Sequence, residues 1–267
     1  MRMPKIGFML VLIAVLSISC VAADFEHREF GVYSRGMGGA SSAVLGGIDS
    51  LGINPAGLAQ QTKKEILVAY QDQFSIGLDY SNFAYAQELF GGGIGISFGQ
   101  FTNVEDLFYQ VSSTQISYGH SLGDLPISGG VSLRHSRLDS LGGQASNTSL
   151  DFGLQGSFKN FAWGLAVYNI FSKADPPDKA ESALKEVKIG LGYAGKNRYW
   201  AAELVNAREL RLGVEQILAG GISIRGGLND GSPTMGLGLS KGSWKIDYSF
   251  ELGLLGNTHS FALSRSF

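Results

Sequence analysis

The chain has one cysteine, Cys20, and six prolines in 267 residues. A single cysteine builds no disulfide framework. Charged residues are scarce: 16% are Asp, Glu, Lys or Arg, against roughly 25% in soluble domains. The formal net charge is −2, and a nucleic-acid binder needs a visible basic excess, so that partner class is excluded. The four histidines, His27, His120, His135 and His259, are scattered. They make no metal-ligand spacing with cysteine or carboxylate, so neither metal nor cofactor is expected. Beyond the N-terminal region no apolar run approaches the roughly 18 residues of a membrane helix.

Glycine is what the chain has in excess: 38 residues, about twice the usual share of roughly 7%. There is no Gly-X-Y period, so collagen is excluded. The first stretch, "MRMPKIGFMLVLIAVLSISCVAADF", places Arg2 and Lys5 before an apolar run from Ile6 to Leu16. Val21 and Ala23 occupy the −3 and −1 places for cleavage before Asp24. Residues 1–23 therefore read as an export signal and are set aside from the fold. The run is short for an anchor helix. Ser17 stands where lipoprotein signals usually carry leucine, which argues against lipidation of Cys20. Cleavage leaves an exported chain without cysteine.

From about residue 65 the sequence alternates. "SLDFGLQGSF" sets Leu150, Phe152, Leu154 and Phe158 against Asp151, Gly153, Gln155 and Ser157. "FAWGLAVYNIF" aligns Phe161, Trp163, Leu165 and Val167. "SWKIDYSFEL" sets Trp244, Ile246, Tyr248, Phe250 and Leu252 against Ser243, Lys245, Asp247, Ser249 and Glu251. Period 2 gives each strand one apolar and one polar face. A soluble sandwich alternates too. The segments, however, are about ten residues long, as a tilted bilayer crossing requires. Their polar faces are mostly glycine, serine and single charges, which suits a lumen.

About fourteen such segments are expected, beginning near Glu65, Asp79, Gly92, Val111, Ile127, Ser149, Phe161, Glu186, Arg198, Glu209, Gly221, Thr234, Ser243 and Thr258. The connections after even-numbered segments read as tight. Several after odd-numbered ones read as longer, namely "NVEDLFYQ", "SLGGQASN" and "SKADPPDKAESALK". Short turns on one side and longer loops on the other are the transmembrane-barrel arrangement, with the tight side periplasmic. The fold expected is all-β: a transmembrane antiparallel β-barrel over 65–267. Its last strand must pair with its first, because lipid satisfies no open edge. Phe261, Leu263 and the terminal Phe267 then face outward as an assembly signal, with Phe267 at the interface. Arg265 interrupts that apolar face where a charge costs only about 0–1 kcal/mol.

Residues 24–64 do not alternate. Their core, "SRGMGGASSAVLGGIDSLGINPAGLA", resembles the N-terminal signature of the FadL-type long-chain fatty acid transport family and its PorV/PorQ relatives. The match falls on Gly36 to Ala40, Asp49, and Asn54 to Ala59. The tail, from "RLGVE" through "IRGG", "GLGL" and "DYSF" to "THSFALSRSF", is similar to the PorV/PorQ tail. The resemblance implies a bacterial outer-membrane barrel of fourteen strands with residues 24–64 as a plug in the lumen. Plug and gating candidates are Arg35, Gly36, Met37, Gly38, Gly39, Asp49, Asn54, Pro55 and Gly57. Asn54 and Pro55 also fit a helix start by their chemistry, as cap and first position.

Two functions follow from the resemblance, and neither is enzymatic. One is passive passage of hydrophobic or amphipathic small molecules, with a fatty acid or similar ligand. The other is a secretion-system or envelope scaffold whose partners are secretion-system proteins. Membrane lipid and the barrel-assembly machinery are partners in both. This chain departs from the transporters in being shorter, with small outer loops.

The remaining motifs weigh little. "GLGYAG" matches a dinucleotide fingerprint at Gly190, Gly192 and Gly195, but this glycine content yields about 0.7 chance matches. "GISFG" places Ser97 as in a nucleophile elbow, yet inside an alternating stretch rather than a strand–turn–helix. "NTS" at Asn147 reads as a loop. Inward faces of the later strands carry Lys188, Glu203, Arg211, Glu215, Arg225, Lys245, Asp247 and Glu251. Their mixed signs suggest an ion-paired lining that either holds a plug or selects what passes.

Overall fold

The computed structural model describes residues 31–44, 46–103, 109–123, 125–141, 143–175 and 183–267. The export signal, Cys20, His27 and residues 24–30 of the plug segment lie outside the described residues.

Fourteen strands form one closed antiparallel barrel. They are β1 (Glu65–Gln73), β2 (Leu78–Leu89), β3 (Gly92–Asn103), β4 (Tyr109–Ser121), β5 (Ile127–Ser140), β6 (Gly143–Phe158) and β7 (Phe161–Asp175). Then follow β8 (Glu186–Ala194), β9 (Arg198–Val205), β10 (Glu209–Ile217), β11 (Ile222–Asn229), β12 (Ser232–Lys241), β13 (Trp244–Gly253) and β14 (Gly256–Ser266). Each strand pairs with its sequence neighbours, and β14 closes on β1 from Glu65↔Ser266 to Asp72↔His259. The Phe267 amide donates to the Lys64 carbonyl at 2.8 Å, extending that seam by one more bond. Every strand edge is thereby paired, which a hydrocarbon environment demands.

The alternation sorts cleanly by face. Val68, Phe83, Phe98, Ile116, Leu133, Leu191, Leu237, Ile246 and Leu263 point outward and are exposed. Asn82, Ser97, Gln115, Ser132, Ser249 and Ser260 point inward and are buried. Among the described residues no second sheet covers the outward side chains. In water that apolar area would cost about 25 cal/mol per Å²; in hydrocarbon it does not. The architecture is thus a transmembrane barrel and not a sandwich. At the end where the chain enters and leaves the barrel, here the terminal end, Phe90, Phe158, Phe161, Trp200, Trp244 and Phe267 are exposed and form an aromatic girdle. Arg265 lies between two of them, its guanidinium 4.9 Å from the Trp244 ring and 4.8 Å from that of Phe267.

The far end departs from expectation. β6 starts at Gly143, not near Ser149, because Ser140 pairs with Gly143 and "SLGGQASN" is mostly strand. Asn147 is accordingly not in a loop. It is buried on the inward face and accepts from the Ser172 hydroxyl at 2.9 Å. β7 likewise runs on to Asp175. Far-end connections such as 141–142, 206–208, 230–231 and 254–255 are as short as those at the terminal end. The β7–β8 connection, 176–185, is nevertheless longer than any at the terminal end, so the expected longer side survives there, and the strands of that region are long as well. In β4–β7 the outward row Ile116, Leu133, Leu150, Phe171 is followed by Thr114, His135, Thr148, Lys173. The wall rises past the apolar belt there, so the strands themselves extend the far end.

Candidate functional site

The interior is occupied by the chain that precedes β1. Its described part holds a short helix, α1 (Val32–Gly36), and the 3-10 turns Gly47–Ser50 and Pro55–Gln60. Asn54 starts the second turn by accepting from the Ala56 amide at 3.1 Å, with Pro55 at the first position. Its Nδ2 donates to the Ser42 carbonyl at 2.8 Å and the Leu154 carbonyl at 3.1 Å, tying the segment to itself and to β6. Gly57 is buried and donates to the Asn54 carbonyl at 3.0 Å.

Much of the glycine excess is explained where this segment meets the wall. Inward positions on β4 and β5, Gly119 and Gly130, lie against the backbone of Pro55, and Gly153 of β6 lies against the Asn54 amide. Gly213 and Gly227 on β10 and β11 admit the backbone of Met37 and Gly38. A methyl group would collide with main chain at Gly119, Gly130, Gly213 and Gly227, and with the Asn54 and Pro55 side chains at Gly153. Gly38 also has φ of 66°, a left-handed conformation that side chains disfavour. Gly39 rests on the Arg211 side chain, and the Gly36 Cα sits over Gly236. Met37 is fully buried with Ala40 and Ala201.

One wall, β8–β13, is charged. Arg225, with its side chain 2% exposed, donates to Glu215 at 2.9 Å and to Asp247 at 2.6 Å. Lys245 bridges Asp247 at 3.2 Å and Asp49 of the inner segment at 2.6 Å. Arg35 pairs with Glu251 at 3.0 Å. The Tyr33 hydroxyl donates to Glu215 at 2.7 Å, and its ring lies 4.2 Å from the Arg225 guanidinium. Burial, then the Glu215 charge, push the Tyr33 phenol well above its ordinary range. Farther round, Glu203 accepts from the Ser42 amide at 2.9 Å and lies 3.9 Å from Arg211. Lys188 reaches Glu186 at 3.4 Å. All eight charged lining residues named from sequence therefore face inward, and four of them, Glu215, Arg225, Lys245 and Glu251, touch Tyr33, Arg35 or Asp49 directly.

The other wall, β1–β7, is mostly neutral: Gln71, Asn82, Ser97, Gln115, Ser117 and Ser132 line it. Its far end is apolar. Tyr80, Phe101, Val111, Leu138, Ala145 and Ala174 form one buried cluster with Ala183. The same cluster continues through Leu67, Ala69 and Ala84 to Ile48, Leu51 and Leu58 of the inner segment.

Between these regions β7 bulges. The register jumps from Leu150↔Phe171 to Phe152↔Val167, so Tyr168 and Asn169 both turn inward. Asn169 has φ of 54°, and its amide donates to Asp151 at 2.8 Å. Asp151 pairs with Arg134 at 3.0 Å. The Tyr168 hydroxyl donates to the Ile53 carbonyl. Sequence reasoning missed Tyr33, Arg134, Asp151, Tyr168 and Asn169 as interior contacts. The available signal was the tyrosine–asparagine pair "YN", which interrupts the apolar face of "FAWGLAVYNIF".

Two motif readings are excluded. Gly190 and Gly192 lie within β8, and "RYWAAELV" after them is strand β9, not the helix a dinucleotide site requires. Ser97 faces inward from the middle of β3, while His120, His135 and His259 are on the outward face. Phe261, Leu263 and Phe267 face outward and are exposed.

No protein-family model and no curated protein matches the chain. Solved structures do. The TodX monoaromatic hydrocarbon channel, as its deltaS2 mutant, aligns with TM-score 0.63 at 12% identity, over 91% of this chain and 99% of that one. A Pseudomonas aeruginosa FadL homologue aligns with TM-score 0.62 at 11% identity, over 92% and 99%. At such identity the likeness speaks for the fold: a closed barrel of the FadL type.

Proposed function

We propose that this protein is an outer-membrane barrel that passes hydrophobic or amphipathic small molecules and is stoppered by the segment ahead of β1. In this reading a cleaved signal peptide exports it, the barrel-assembly machinery inserts it, and its terminal end faces the periplasm. The observation that carries the reading is the apolar column inside the neutral wall, from Tyr80 and Phe101 at the far end to Leu51 and Leu58 below. A water-filled porin has a polar interior and no use for such a column. A hydrophobic solute could enter it by exchanging contacts with the inner segment, whereas the ion-paired wall offers no such exchange. The two channels of similar fold agree with this assignment. Gating falls to Arg35 through Gly39, Asp49, Asn54, Pro55 and Gly57, which touch both walls.

The test is uptake by cells with and without the protein, using a labelled long-chain fatty acid and a monoaromatic hydrocarbon. Leu51→Asp and Leu58→Asp, which put charge into the column, are expected to abolish any protein-dependent uptake while the barrel still folds. A second reading is an envelope or secretion-system scaffold of the PorV/PorQ kind, favoured by the ion pairs that fix the inner segment to β11–β13. Unchanged uptake on deletion, together with loss of exported proteins, would replace the first reading with the second.

A further inference from the structure

The outward surface is not uniformly studded with side chains. On β9–β12 one outward row reads Trp200, Val214, Gly226, Met235 across the paired strands. At Gly226 the row lacks a side chain, and an added Cβ would meet a single atom, the Thr234 carbonyl oxygen, at 3.9 Å. The result is a hollow of about 440 Å³ lined by Arg198, Trp200, Val214, Gln216, Ile224 and Gly226, together with Glu215 and Arg225. This is the size of a small-molecule site. Outward Gly129 makes a contrast, because Leu122 and Leu154 fill the space beside it.

A second hollow of about 420 Å³ adjoins the first, sharing Arg198 and Trp200 and adding Tyr193, Lys196 and Asn197 of the β8–β9 turn. The turn is held in place. Arg198 Nε donates to Gln216 Oε1 at 2.7 Å, and Gln216 Nε2 donates to the Asn197 carbonyl at 3.0 Å. Lys196 and Arg198 are exposed. The one acidic residue of the first hollow's lining, Glu215, is buried with its carboxylate turned inward onto Arg225. Two cations at the aromatic girdle thus sit above an apolar trough, with no outward carboxylate lining either hollow.

We infer that this face binds one anionic phospholipid, its phosphate at Lys196 and Arg198 and an acyl chain along Trp200, Val214 and Gly226. The inference rests on the proposed placement of the terminal end in the phospholipid leaflet. Charge decides the lipid class. Juxtamembrane cations attract anionic headgroups, while the ammonium of a zwitterionic headgroup finds no acceptor carboxylate here.

The experiment is native mass spectrometry of the full chain in mild detergent with equimolar phosphatidylglycerol and phosphatidylethanolamine. Expected is one retained phosphatidylglycerol per barrel, favoured about tenfold or more over phosphatidylethanolamine. K196Q combined with R198Q should remove the preference. G226L should lower retention of both lipids, and K159Q, on a neighbouring turn, should change nothing. Glycerol phosphate should not compete. Equal retention of the two lipids, indifference to both site variants, or displacement by glycerol phosphate would overturn the site. Failure of the membrane placement shows separately, as unboiled protein that migrates like boiled protein and leaves the envelope fraction.

Discussion

The neutral wall and the charged wall meet the same inner segment by different means. On β3–β6 the contacts are close approaches of backbone to glycine and apolar packing on Ile48, Leu51 and Leu58. The apolar contacts have many equivalent substitutes, since one apolar surface replaces another at little cost, whereas the glycine positions admit none. On β10–β13 the segment's Tyr33, Arg35 and Asp49 engage Glu215, Glu251 and Lys245. Charges taken out of water have few substitutes, and removing one partner leaves the other uncompensated. Backbone seated on glycine is common to both sides, through Gly119 and Gly130 on one and Gly213 and Gly227 on the other, and the ion pairs are what the charged side adds.

Four variants would break or sharpen that contrast, in order of decreasing effect. Arg225→Met removes the ion-pair partner of buried Glu215 and leaves Asp247 to Lys245 alone, and should cost about 3–5 kcal/mol, read as a lowered denaturant midpoint in lipid vesicles. Replacing Arg225, Glu215 and Asp247 together by apolar residues should recover most of the loss. If the triple variant is no better than the single one, the wall depends on its charges in a way the pairing does not explain.

Gly130→Leu drives a side chain into Pro55 and should cost about 1–3 kcal/mol. Its diagnostic is protease cleavage within residues 31–64 of an otherwise folded barrel. A segment that stays protected would mean the neutral wall is more yielding than its contacts suggest.

Asp49→Asn weakens a partly exposed pair in which Lys245 keeps Asp247, so the expected loss is about 1 kcal/mol. The same protease assay should show partial release at the charged wall. Tyr168→Phe removes one hydrogen bond to Ile53 and should cost about 0.5–1.5 kcal/mol, with no change in protection elsewhere.

The barrel was legible because its physics is local. Period 2 in segments such as "SWKIDYSFEL" is a consequence of the pleat, and outward Trp244, Ile246 and Phe250 need no distant partner beyond lipid. The turn at Asn54 and Pro55 was legible for the same reason. Less visible was the extent of β6, since Gly143 and Gln144 resemble a loop until the partner Ser140 is known. The β7 bulge was not legible. Period 2 carried past Val167 would have turned Asn169 outward, and Asp151, Arg134 and the Leu184 carbonyl hold it inside.

Side-chain order along the chain by itself determined that these segments are strands, which face is apolar, and that the region before Glu65 belongs to a different kind of structure. Tertiary structure alone decided which inward charges become partners: Arg225 with Glu215 and Asp247, Lys245 with Asp49. The reason is physical. Alternation is set between adjacent residues, whereas a buried pair is set by strand register and by an inner segment whose contacts come from nearly two hundred residues away.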